Sequence, residues 1–132
     1  MTPRGRALFL ALVLAQAAHS IEELAFGLWE RLPIARMASS LVSDDLALGF
    51  AVLNAFFVAF GLWCWIWPVR RGWPSARPIA WIWAAIEVGN GIGHPALAWR
   101  AGGYFPGVAT APILLILALM LVATLGRREE RC

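Results

Sequence analysis

Four apolar runs, each about as long as a bilayer is thick, limit what this chain can fold into. They cover residues 7–29, 46–69, 78–99 and 104–126. The polar breaks around them carry Pro33, Pro68, Pro74, Pro78, Gly102, Gly103, Pro106 and Gly107. About 20 residues of helix, rising 1.5 Å each, cross ~30 Å of hydrocarbon. The run at 46–69 holds no charge at all, and the run at 104–126 is rich in Leu and Ala, with Pro112 early in it. The chain has 132 residues, of which 14% are charged. Soluble domains run at roughly 25%, so too little charge is present to clothe a water-facing surface. The sequence therefore predicts an all-α fold, a single domain over residues 1–132 built as a polytopic membrane bundle of four transmembrane helices.

Orientation follows from the basic residues, all 11 of which are Arg. With four spans, Arg4, Arg6, Arg70, Arg71, Arg77, Arg127, Arg128 and Arg131 fall on one side, and Arg31, Arg36 and Arg100 on the other. Positive charge collects on the cytoplasmic side, which puts both termini in the cytoplasm. The expected location is the inner membrane of a bacterium. Trp63, Trp65, Trp67, Trp73, Trp81 and Trp83 gather toward the cytoplasmic face, where they are expected to anchor the interface. The arginines stand singly or in pairs between apolar runs, which argues against nucleic acid as a partner. Cys64 lies within a run and Cys132 ends the chain, so no disulfide framework is implied. Arg4, Arg6, the apolar stretch and Ala15-Gln16-Ala17 also resemble a cleavable signal. Apolar residues resume after Ala17 and continue to Trp29, so the segment is read as a retained span.

Ionisable side chains inside a span cost about 2.5–3.5 kcal/mol each and usually face the protein interior. The first run contains His19, Glu22 and Glu23, at i, i+3 and i+4, with Gln16 one turn earlier. The third contains Glu87, Asn90 and His94, at i, i+3 and i+7. Both spacings confine these residues to one face of a helix with 3.6 residues per turn. Asn54 is the strongly polar residue of the second run. Runs one and three travel outward and run two inward, so all these groups fall within a band of roughly 12 Å, from midplane to outer leaflet.

Imidazole and carboxylate on facing helices are the ligands of Zn, Fe or Mn sites in bundles. His19, Glu23, Glu87 and His94 are therefore the expected ligands of a divalent transition metal. Glu22, Asn54 and Asn90 are the expected catalytic groups. Gly89, Gly91 and Gly93 thin one face of the third run for close approach of a neighbour or ligand. The reading is a metal-dependent membrane enzyme, hydrolytic or oxidative, acting on a small or lipophilic substrate. It calls for no nucleotide or flavin, and its partners are membrane lipids and a second copy of the chain. Two alternatives use the same residues without metal: an acid–base isomerase or lipid-binding site, and a carrier or accessory subunit that binds a proton or cation in transit.

At His19-Ser20-Ile21-Glu22-Glu23 the chain resembles the HXXEE-domain family of small integral membrane proteins. The resemblance continues through residues 87–94 and through Gly103-Tyr104-Phe105-Pro106-Gly107. It supports the choice of residues more than any activity. In architecture alone the chain is also similar to the emopamil-binding sterol isomerase group, which places His, Glu and Asn in a membrane cavity without metal.

Overall fold

The structure is a computed structural model and describes residues 1–127. Arg128, Arg131 and Cys132 lie outside the described residues. Within them the chain is all-helical, with α1 (Pro3–Ala25), α2 (Leu28–Arg31), α3 (Pro33–Ser40), α4 (Leu46–Cys64), α5 (Ala76–Ala101) and α6 (Ala111–Gly126).

The caps follow from the sequence. The Thr2 side chain accepts from the Gly5 amide and starts α1, and Asp45 accepts from Ala47 and Leu48 to start α4. The α4 helix runs on through a π-helical turn at Trp65–Val69, where Pro68 offers no N–H and the regular bonding shifts by one residue.

Two helical regions, Pro3–Ala25 and Leu46–Val69, are long and apolar enough to cross a membrane. Only 17% of the most apolar window of the second is buried. Its exposed face carries Leu48, Val52, Phe56 and Phe60.

Two of the expected runs need correction. The run at 7–29 is not one helix. It ends at Ala25, and Gly27, at φ +66°, turns the chain into α2 and α3. Residues 104–110 of the last run form a loop, because Pro106 and then Gly107 at φ +91° interrupt the helix. The α6 helix keeps 16 residues, about 24 Å at the helical rise. Between the first two runs the chain forms α3, Pro33–Ser40. Its backbone at Ser39 lies so close to α4 that a Cβ at Gly49 would collide with the Ser39 carbonyl.

The four longer helices share one apolar core. Phe9, Leu12 and Val13 of α1 meet Cys64 of α4, Ala80, Trp83 and Ala84 of α5, and Leu114, Ala118 and Leu121 of α6. Small residues let the helices close up: Gly61 abuts the Trp83 ring and Gly91 abuts Leu115. Of the three glycines expected to thin this helix, Gly91 is the one a neighbouring helix meets, while Gly89 and Gly93 face open space. Trp83 is likewise a core residue, edge-on to Phe9 and stacked on Phe57, and not an interface anchor.

Hydrogen bonds fix the direction of each helix. Arg6 near the start of α1 donates to the Arg70 carbonyl after α4, and Arg77 at the start of α5 donates to the Leu125 carbonyl at the end of α6. Those four ends therefore share one side of the molecule. At the other side Arg31 donates to the Tyr104 carbonyl.

Candidate metal centre

On α1, His19 and Glu23 stand one turn apart and face inward. His94 reaches the same point from α5. All three are buried, with His19 at 0% exposure. Their three inward atoms form a nearly equilateral triangle. His19 Nε2 lies 3.3 Å from His94 Nε2 and 3.3 Å from Glu23 Oε1, and His94 Nε2 lies 3.2 Å from Glu23 Oε1. The rings meet edge to face, with centroids 4.6 Å apart.

The partners of the outward nitrogens settle the tautomers. His94 Nδ1 lies 2.6 Å from the Pro106 carbonyl oxygen, which can only accept, so this nitrogen carries a proton. The Thr110 hydroxyl gives its single proton to Glu22 Oε2 at 2.6 Å, so it can only accept from His19 Nδ1, at 2.7 Å. In the neutral rings both Nε2 atoms are then left as bare lone pairs. Two lone pairs and a carboxylate oxygen face one another with no donor between them, and such a trio repels unless a cation or an added proton sits among them.

A metal ion fits the triangle. Tetrahedral ligands about 2.0–2.1 Å from an ion stand about 3.3–3.4 Å apart, which is close to the observed sides. The Nδ1 hydrogen bonds to a backbone carbonyl and a hydroxyl are the outer contacts that orient metal-bound imidazoles. Among the described residues, His19, Glu23 and His94 form the group able to hold an ion.

Glu22 does something else. Its Oε1 accepts from the Tyr104 hydroxyl (2.6 Å) and from the amides of Gly107 (3.2 Å) and Ala109 (3.1 Å). Its Oε2 accepts from the Thr110 amide (2.9 Å) and hydroxyl. Five donors saturate the carboxylate, which has about four lone-pair sites. Glu22, expected as a catalytic group, is thus held by five donors of the segment from Tyr104 to Thr110. Glu22 clamps the 104–110 loop, and that loop supplies both outer partners of the histidines. Gly107 lies between them: a Cβ there would come within 2.5 Å of His94 Nδ1 and 2.7 Å of His19 Cε1. Sequence reasoning missed Thr110 and the Pro106 carbonyl. A threonine within an apolar run and a main-chain oxygen carry no signal of their own.

Glu87, expected as a ligand, belongs to a neighbouring polar chain instead. It is 0% exposed, accepts from Asn90 Nδ2 at 3.0 Å and faces the Gln16 amide. On the far side of Gln16 come Ser20 and then Asn54, whose Oδ1 accepts from the Ser20 hydroxyl at 2.7 Å. Asn54 Nδ2 donates to the Phe50 carbonyl, one turn back, at 3.0 Å. Asn54 and Asn90 thus spend their amides on this chain and make no direct contact with the triangle. The residues expected at one level do assemble there, but as two clusters, the triangle and the chain.

Over residues 10–122 the sequence matches the family described as "protein of unknown function with HXXEE motif". That match spans most of the chain, which therefore belongs to this family. No curated protein and no solved structure matches it.

Proposed function

We propose that this HXXEE-family chain crosses the membrane four times, with both termini in the cytoplasm, and binds one divalent transition metal ion at His19, Glu23 and His94. We further propose that it acts as a metal-dependent enzyme, hydrolytic or oxidative, on a small or lipophilic substrate. The observation that carries this reading is the buried triangle of two imidazole nitrogens and one carboxylate oxygen, with sides of 3.2–3.3 Å. Three protein ligands leave a tetrahedral ion one free position, the pattern of catalytic sites rather than closed structural ones. When bound, such an ion supplies Lewis acidity or, for iron, redox chemistry.

The protein's own residues supply the rest. Glu23 and the two Nε2 atoms bind, while Pro106 and Thr110 hold the rings in register. Glu22 keeps the loop closed over them. Non-helical backbone at membrane depth is tolerated where protein satisfies its amides, which supports counting the loop and α6 together as the fourth crossing. An open apolar groove of about 430 Å³ between α1 and α4, walled by Ala17, Ile21, Ala55 and Val58, has Ser20 and Asn54 in its lining and none of the three ligands.

Elemental analysis of protein purified in mild detergent without chelators tests the reading. One ion per chain is expected, lost in His94→Ala. Metal-free protein that takes up no zinc, iron or manganese on addition overturns it, and the trio then becomes an acid–base site held together by a shared proton.

A further inference from the structure

The chain from Glu87 to Phe50 has a direction, which can be read from its fixed end. The Phe50 carbonyl can only accept, so Asn54 must turn its nitrogen toward it and its oxygen toward Ser20. The Ser20 hydroxyl then spends its one proton on Asn54 Oδ1, at 2.7 Å. Toward Gln16, Ser20 can only accept, so Gln16 turns Nε2 to it, at 3.0 Å. That leaves the Gln16 amide oxygen facing Glu87, 2.8 Å from Oε2 and 3.2 Å from Oε1. Two acceptors at that distance need a proton between them.

Reversing the Gln16 amide would let it donate to an ionised Glu87. Gln16 and Asn54 would then both present oxygens to Ser20, which has a single proton to give. One buried oxygen would be left facing another.

Surroundings point the same way. Glu87 is fully buried, and among the described residues its recorded polar partners are the two amides of Gln16 and Asn90. The charged group within its electrostatic reach is the Glu23 carboxylate, of the same sign when ionised. A buried carboxylate with no cation beside it is costly, whereas the neutral acid can donate to Gln16 and accept from Asn90 at once.

We propose that Glu87 is a proton-binding site: at neutral pH it is a carboxylic acid whose hydroxyl donates to Gln16 and sets the direction of the Glu87–Gln16–Ser20–Asn54 chain across α5, α1 and α4. The proton ties three helices together beside the histidine triangle, and its loss obliges Gln16 to turn and release Ser20. This assignment does not rest on metal binding.

Infrared spectroscopy of the full chain in detergent at neutral pH, carrying ¹³C-labelled glutamate, tests it. The expected spectrum contains one protonated-carboxyl C=O band per chain that moves with the label, both with and without added zinc. Glu87→Gln should remove that band and retain native helicity, because the amide has the shape of the neutral acid. Ser20→Ala frees Gln16 to turn and should at least halve the band without touching Glu87. Absence of a labelled band in the wild-type chain overturns the proposal, as does a band that survives Glu87→Gln or one that Ser20→Ala leaves at full strength. Should Glu87→Gln fail to fold, the wild-type and Ser20→Ala spectra decide alone.

Discussion

Glu22→Gln separates the two glutamates of the motif. On insertion energetics alone the change is favourable, because it removes a charge that costs about 2.5–3.5 kcal/mol at the centre of a span. The structure reverses the sign. Glu22 accepts five hydrogen bonds, and an amide can serve at most one of its two oxygen positions. With the amide nitrogen at the Oε2 position, the Thr110 amide faces another donor. The three bonds at Oε1 also become neutral ones, roughly half as strong. Hydrogen bonds to charged groups contribute about 1.5–3 kcal/mol each, so with one bond lost and three halved the equivalent of two and a half is lost, or about 4–7 kcal/mol. At 1.4 kcal/mol per decade this is about 10³- to 10⁵-fold in the opening of the 104–110 loop. Hydrogen exchange followed by mass spectrometry on peptides covering Gly107, Ala109 and Thr110 reads that opening directly. The variant should lose protection there and retain it in α4, and its metal content should fall as Pro106 and Thr110 leave the histidines. Unchanged protection in the loop would refute the clamp.

Gly107→Ala should also be poorly tolerated. It combines a positive φ, which costs about 1–2 kcal/mol for a residue with a Cβ, with a collision against two rigid rings that adds about 1–3 kcal/mol. A melting temperature equal to wild type in the same detergent would count against the placement of the loop. Glu23→Ala and His19→Ala should each abolish metal binding, by elemental analysis, and leave the helices inserted, by carbonate extraction. Metal should leave as pH falls, since protons compete for the imidazole lone pairs and the carboxylate; retention at acidic pH would exclude these ligands. A reporter at the C-terminus should read cytoplasmic and one in the segment at 36–44 extracytoplasmic, and two reporters on the same side would sink the four-crossing topology.

The positions of the long helices and the identity of the polar residues within them were legible in the sequence, because apolar run length and helical periodicity are local properties. The match of His19, Glu23 and His94 to one buried point follows from the same periodicity, together with the cost of leaving such groups in lipid. What each carboxylate does was not legible. Glu22 and Glu23 are adjacent and chemically identical, yet one meets a loop more than 80 residues away and the other meets His94. Glu87 shares a helix face with His94 but lies two turns away from it, where Gln16 meets it. The ends of the runs also misled, since hydropathy does not register that Gly27 and Gly107 take positive φ. Hydropathy reports where a segment is content to be buried. Which lone pair meets which donor depends on the rotation and depth at which packed helices stop, and only tertiary contacts such as Gly91 on Leu115 and Gly61 on Trp83 decide that.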